Sequence, residues 1–338
     1  MPHPPEEMAD LSTQSETYRG SIVIPTKGRH ESMLRTLDAV RCCLPSDMNL
    51  EIIVIEETDT PQPIREERVK YCPIPERGLG FGYVRNLGLR KAKGSIIIFV
   101  DDDVIPTQNW FENLFEPFAE ESVVGVQGGV TVPESSNAIG WAESILGFPG
   151  GGISRVLQAK GENQTTREIS TLNCAYRKWV IEKVGGFDEN LTSGSEDYLL
   201  AKEACLYGQC LFAPDALVYH EARGTLKKIW HWFVRRGRAE MRLAKLRELE
   251  EINLGSILKR SITCKFLLVV LAGAFFHGFF IPLLIIAFAA YFVLQLARYF
   301  WTWKLSKAPV ATIFLLPLVK LVMDSAMDWG RVRGLLLE

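Results

Sequence analysis

The chain has 338 residues, with 40 acidic against 38 basic side chains and a formal net charge of −2, which supports one domain of roughly 200–250 residues plus an appendix. That balance excludes a strongly basic nucleic-acid-binding protein, so nucleic acid is not expected as a partner and any pull toward an anionic surface must come from local clustering. The seven cysteines, at 42, 43, 72, 174, 205, 210 and 264, form no CxxC pair and no zinc-finger spacing, which excludes a disulfide scaffold and fits a reducing compartment.

Residues 1–19 form a polar N-terminal tail without the apolar core of a secretory signal, so the part that follows is expected to stay in the cytoplasm. From residue 20 to 225 short apolar runs alternate with helical stretches. Strands are predicted at Ser21–Ile24, Glu51–Ile55 and Ser95–Val100, and helices at Glu31–Cys43 and Tyr83–Lys93. The strands are continuously apolar, as strands buried on both faces are, which predicts an α/β domain with a largely parallel sheet. Each strand runs into a polar segment: Pro25 to Arg29, Glu56 to Asp59, and Asp101, Asp102 and Asp103. The carboxyl ends of such strands line a common crevice, so these segments are expected to converge.

A helix is expected at Trp110–Phe118. The glycine-rich stretch Val123–Gly161, most flexible at Gly147–Gly152, is expected to be a loop-bearing segment that faces substrate. A short strand and helix follow at Asn173–Trp179 and a turn at Val184–Asp188. Glu196 and Asp197 then open another helix, where negative charge is favoured in the first turn.

Beyond His220 the character changes. Residues 226–262 read as a basic amphipathic, interfacial helical region, because eight basic residues between Lys227 and Arg247 interleave with Trp230, Trp232 and Phe233 against one acid, Glu240. A solvated helix packed on the domain is the alternative. Phe266–Ala297 contains no charged residue; a straight helix of that length would run about 50 Å against a hydrocarbon core of about 30 Å. With basic residues on both flanks, a transmembrane hairpin over 263–300, turning near His277, Gly278 and Pro282, is expected, against one tilted span. Residues 301–338, interrupted by Pro317 and Lys320, read as a re-entrant or interfacial C-terminal helix. The resulting expectation is a multi-pass protein of the cell membrane with its catalytic domain facing the cytoplasm.

Three consecutive aspartates after a buried strand repel and raise one another's pKa, and a divalent cation relieves that repulsion. Oxygen ligands suit Mn²⁺ or Mg²⁺ held together with substrate phosphates. A helix-capping turn before Trp110 is the plainer alternative. Asp197 is a candidate base with helix stabilisation as its alternative, and His220 is either a ligand or a merely packed histidine.

The ordered set Ile24-Pro25-Thr26, Gly78 to Arg85-Asn86 with Gly88, Gly94 to Asp103, Gly185-Gly186-Phe187-Asp188 and Glu196-Asp197 resembles family 2 glycosyltransferases, over about residues 20–222. The resemblance implies the α/β GT-A nucleotide-diphospho-sugar transferase fold, a Rossmann-like mixed sheet, here followed by C-terminal membrane helices. It implies inverting, metal-dependent transfer from a nucleotide-diphospho-sugar donor. Asp101 would contact ribose or base and Asp103 the metal. Pro25, Thr26 and Asp102 would lie on the donor side, and Arg85 near the nucleotide. Glu56 and Glu57 stand where the family has paired aspartates near the base. Asp197 matches the catalytic base, Glu196 its substrate-side neighbour, and His220 the place of a further metal ligand. Trp230–Arg238 lacks the Gln-x-x-Arg-Trp motif of processive synthases, which favours addition of one sugar to a membrane-linked acceptor, a polyprenyl-linked glycan or a lipid. A polyprenyl-phosphate sugar synthase and an inactive membrane scaffold are the alternatives.

Overall fold

The computed structural model describes residues 19–192, 194–247, 255, 259, 261–275 and 280–337. The 1–18 portion of the tail, the 248–254 part of the basic region and the expected hairpin turn at His277 and Gly278 lie outside the described residues.

Four strands, β1 (Gly20–Lys27), β2 (Leu50–Glu57), β3 (Val69–Ile74) and β4 (Ile96–Val100), pair in parallel in the order β3-β2-β1-β4. Their Ile and Val residues alternate between two cores. Ile22, Ile24, Ile52 and Ile98 pack on Met33, Leu37 and Val40 of α1 (His30–Cys42). Val23, Ile53, Ile97 and Phe99 pack on Val84 and Leu89 of α2 (Gly80–Lys91) on the opposite face. Helices on both faces are why these runs are apolar without alternation.

The chain then crosses through the short strand β5 (Val104–Pro106) and α3 (Trp110–Phe115), which tightens into a 3₁₀ turn at Glu116–Ala119 where a helix to Phe118 was expected; Pro117 supplies no N–H to continue it. β8 (Asn173–Arg177) lies antiparallel to β4, and β6 (Val123–Thr131) antiparallel to β8. β9 (Gln209–His220) runs parallel to β6, and β5 closes the edge antiparallel to β9, with the two-residue β7 (Gln164–Thr165) also on β9.

The expected loop region at Val123–Gly161 is corrected here. β6 is a central strand buried at every position, and α4 (Ala138–Ile145) and α5 (Gly152–Ala159) follow it. Its glycines mark close approach rather than flexibility: a Cβ on Gly128 would stand 2.3 Å from Ala216 O and from Asn173 Nδ2. Two short helices, α6 (Lys178–Lys183) and α7 (Glu196–Ala204), complete the sheet's cover.

The C-terminal part consists of α8 (Leu226–Arg247), α9 (Ile262–Phe275), α10 (Phe280–Leu305) and α11 (Val310–Leu337). The two expected hairpin arms are unequal, with 14 residues in α9 and 26 in α10. Pro282 sits in the first turn of α10, where its missing N–H is harmless, and not in the turn. α11 is one unbroken helix with Pro317 inside it, so it makes none of the reversal that a re-entrant path needs. It joins a third core in which Leu316, Val319, Met323 and Ala326 meet Ile229 and Phe233 of α8 and Ala142 and Ile145 of α4. Gly237 and Gly330 bring α8 and α11 into backbone contact, since a Cβ on Gly330 would stand 2.2 Å from Val234 O. Two stretches, Leu284–Leu305 and Val310–Leu336, are long and apolar enough to cross a membrane.

Candidate active site

The three aspartates fill the gap between β4 and β5. The Asp101 N–H donates to Leu172 O at 3.1 Å, one step beyond the Val100–Asn173 pair, so the β4–β8 pairing carries on to the first aspartate. The β5–β9 register then sets Val104 opposite His220, and the Glu221 N–H donates to Asp103 O at 3.2 Å. This puts His220 Nε2 3.4 Å from Asp103 Oδ1. Two residues remote in sequence are thereby brought together by strand pairing alone.

The three carboxylates point in different directions. Asp102 is buried and turned toward β1, where it accepts a hydrogen bond from Thr26 Oγ1 at 2.6 Å and one from Arg29 Nη2. Burial outweighs both contacts and pushes its pKa up to about 7. Asp102, read from the sequence as substrate-binding, therefore braces the inner wall together with Thr26. Asp103 accepts from Arg29 Nη1 at 2.6 Å, while its Oδ1 carries no hydrogen bond. Asp101 accepts from Arg85 Nη2 at 3.2 Å.

Arg85 is the hub. Buried on α2 beside the rings of Phe81 and Phe187, it spans Asp101 and Glu196, donating from Nη1 to Glu196 Oε1 at 2.7 Å. Glu196 is buried as well, and desolvation, opposed by Arg85, pushes its pKa up to about 7. Its place at the start of α7 depends on Ser195, a non-glycine residue at φ 75°, a conformation kept only where the surroundings impose it. Asp197, next in the helix, is half-buried and accepts only the Tyr198 N–H at 2.8 Å among the described contacts, which leaves its other carboxylate oxygen unengaged there.

The two glutamates ending β2 are occupied. Glu56 accepts from Tyr71 Oη at 2.6 Å and pairs with His30 Nδ1 at 2.9 Å. Glu57 accepts the Arg77 N–H at 2.8 Å and that of Gly78, and lies 3.2 Å from Lys27 Nζ. Pro25 and Thr26 pair with Ile55 and Glu56 within the sheet, so they sit at the crevice floor as strand residues.

The contacts link the predicted residues in groups, Asp101, Arg85 and Glu196 in one, Thr26, Asp102 and Asp103 through Arg29 in another with His220 beside Asp103, and Glu56 with His30 and Tyr71 apart from them. Sequence reasoning missed Arg29, His30 and Tyr71. Arg29 and His30 lie in or next to the polar segment after β1, a usable signal; Tyr71 on β3 gave none. Arg223 was missed too, paired with Glu143 at 2.5 Å and lying over Trp232. A cleft of about 370 Å³ adjoins Asp103, bordered by Arg35, Thr36, Asn137 and Tyr219. A larger one, about 520 Å³, lies beyond Asn86 and Phe187 and touches none of the three aspartates.

As a cation site the arrangement is lean. Among the described residues no cluster of three His, Cys, Asp or Glu ligands occurs. The unbonded Asp103 Oδ1 beside His220, whose pKa burial lowers, suits a hard ion that takes one or two protein ligands and fills its sphere from phosphate and water.

Residues 21–185 match the family model "Glycosyl transferase family 2". The glycosyltransferase AglE of Haloferax volcanii is 28% identical over 213 residues, 60% of this chain and 67% of that protein. The pre-mycofactocin glycosyltransferase of Mycobacterium tuberculosis is 24% identical over 222 residues, 64% of this chain and 45% of that protein, so the match spans less than half of this second relative. Among solved structures, the mannosyltransferase PcManGT from Pyrobaculum calidifontis, in complex with GDP-Man and Mn²⁺, superposes with a TM-score of 0.57 at 18% identity, over 95% of this chain and 88% of that one.

Proposed function

We propose that this chain, a glycosyltransferase whose residues 21–185 match family 2 and whose fold is that of GT-A enzymes, moves one sugar, with inversion, from a nucleotide-diphospho-sugar to a hydroxyl of a membrane-linked acceptor. The acceptor is a polyprenyl-linked glycan or a lipid. The observation that carries the reading is the convergence of Asp101, Asp103, Arg85, Asp197 and His220 at the carboxyl ends of β4 and β9.

In this reading the donor lies across the ends of β1, β2 and β4, against Pro25, Thr26 and Glu56, with Asp101 and Arg85 on its nucleotide. Asp103, with His220 beside it, holds Mn²⁺ or Mg²⁺. A bound divalent ion neutralises charge on the departing diphosphate. Asp197 takes the proton of the acceptor hydroxyl as that oxygen bonds to the anomeric carbon, and the old carbon–oxygen bond breaks with its electron pair leaving on the nucleoside diphosphate. Arg85 and Glu196 keep the first turn of α7 in place for that transfer.

The same proposal divides the chain into a tail at 1–19, a catalytic domain at 20–225, an interfacial helical region at 226–262, membrane helices from 263 to 300 and a C-terminal helix at 301–338. It sets the protein in the cell membrane as a multi-pass protein with the catalytic domain on the cytoplasmic side. The apolar α10 and the exposed Lys227, Lys228 and Trp230 of α8 support this, because a soluble donor and a greasy acceptor require a site at the membrane surface.

A panel of nucleotide-sugars screened by thermal shift with Mn²⁺ tests the reading. One donor is expected to raise the melting midpoint, and the rise should vanish in EDTA and in Asp103→Ala. Asp197→Asn should keep donor binding and lose transfer. Equal stabilisation in EDTA would overturn the metal, and full transfer by Asp197→Asn would overturn the base.

A further inference from the structure

The basic residues of α8 do not share one environment. Trp232 lies under the guanidinium of Arg223, 4.1 Å from ring centre to Cζ, and Arg223 follows His220 by three residues. Seven residues further along the helix, buried Ala239 faces Gly194, whose Cβ would stand 3.7 Å from Ala239 Cβ. Arg242 Nη1 then donates to Thr192 Oγ1 at 3.0 Å. The stripe Trp232, Arg235, Ala239, Arg242 follows the three-to-four residue spacing of one helix face. It therefore runs along the crevice from the His220 end to the segment that carries Glu196 and Asp197.

Every other arginine near this stripe is engaged. Arg223 pairs with Glu143, Arg29 holds Asp102 and Asp103, and Arg236 lies over Phe148 and Trp232 at 5.2 and 5.6 Å. Glu196, whose charge reaches Arg235, is already paired with Arg85 at 2.7 Å. Arg235 makes no hydrogen bond or ion pair among the described residues. Its side chain is exposed, and desolvation lowers its pKa, with Arg223 and Arg29 lowering it further against the opposing charge of Glu196. With two arginines beside it and its one carboxylate neighbour already paired with Arg85, this guanidinium has donors left for an anion. The planar fork of a guanidinium suits two oxygens of one phosphate.

We propose that Arg235 is a phosphate-binding residue at the rim of the active site, taking either the diphosphate of the nucleotide or the phosphate of a lipid-phosphate acceptor. The proposal rests on the glycosyltransferase reading of the crevice and removes Arg235 from the residues assigned to the membrane surface.

The test uses the full chain in detergent micelles and compares wild type with Arg235→Ala, Arg235→Lys and Lys228→Ala, which removes one charge from an exposed position of the same helix. Calorimetry measures binding of UDP, GDP, ADP, CDP and dTDP, each with Mn²⁺, and separately of a short-chain polyprenyl phosphate. If the phosphate is the donor's, Arg235→Ala weakens the bound nucleotide about tenfold or more, about 1.4 kcal/mol, and leaves the lipid phosphate unchanged. If it is the acceptor's, the loss falls on the lipid phosphate alone. In either case Arg235→Lys recovers part of the loss, Lys228→Ala binds as wild type, and the melting midpoint of the variants is unmoved. Unchanged binding of both ligand types by Arg235→Ala, or an equal loss in Lys228→Ala, overturns the role of Arg235. A wild-type chain that binds none of the nucleotides and no lipid phosphate overturns the reading of the crevice itself.

Discussion

Glu196 shows how much of this site is held by burial rather than by charge pairing. Desolvation raises its folded-state pKa to about 7 against Arg85, whereas a glutamate in the unfolded chain ionises near about 4.3. The folded protein therefore binds this proton more tightly. The contribution of the group to stability is complete below the unfolded value and declines as pH climbs toward 7. Glu196→Gln keeps the shape and an acceptor for Arg85 but cannot ionise, so its melting midpoint should vary less between pH 4.5 and 7 than that of wild type. Parallel curves for the two proteins would show that Glu196 is ionised throughout. At this scale the sequence disclosed types and missed partners. The acids after β4 were visible as a run, but the pairing of Asp103 with His220 exists only through the β5–β9 register. The grip of Arg29 on both Asp102 and Asp103 follows a turn at Gly28, whose φ is +62°. Neither is a property of neighbouring letters.

Secondary-structure elements were legible in proportion to how far their composition matched their environment. β1, β2 and β4 are nearly unbroken Ile and Val, so burial on both faces could be read directly. β6 carries three glycines among its nine residues, Val123 to Thr131, and composition alone cannot separate a glycine that bends from one that admits a neighbour. The distinction is measurable. Gly128→Ala places a methyl into Ala216 O and Asn173 Nδ2 at 2.3 Å, and overpacking of this kind costs about 1–3 kcal/mol. Gly28→Ala meets nothing within 4 Å and bears only the strain of its positive φ, about 1 kcal/mol. Denaturant titration should accordingly find Gly128→Ala the less stable of the two, with β6 expected to resist the change because it stands between β8 and β9. The reverse order would mean that β6 has room to shift, as a loop would.

At the scale of the molecule the catalytic domain and the apolar helices are not separable modules. Hydropathy ranks α10 and α11 together, yet in the candidate span of α10 only Tyr291 is buried in the protein, while 39% of that in α11 is. A sequence pattern reports that a side chain avoids water and is silent on whether lipid or protein replaces it. α11 turns Leu316, Val319 and Met323 to α8 and α4 and leaves Phe314, Leu318 and Val332 outward. Four of its charges are answered inside the protein, Lys320 by Asp324 at 2.5 Å and Arg331 by Asp328 at 3.1 Å and by Glu240 at 2.9 Å. α10, at about 39 Å for its 26 residues, meets α11 through Tyr291, whose Oη donates to Pro317 O at 3.2 Å, and the third core through Leu296, Tyr299 and Trp303, while Ile285, Ile286, Val293 and Leu294, which are 63%, 63%, 63% and 66% exposed, form an outward apolar face that suits lipid. The full chain expressed in cells should therefore stay in the membrane pellet through an alkaline carbonate wash, which strips proteins held only at the surface. A double substitution of Ile286 and Val293 by Lys should release it while donor-induced stabilisation in detergent persists, because neither residue touches the crevice. Release of the unmodified chain by the wash would limit α10 to the interface and would leave the basic face of α8 as the main attachment.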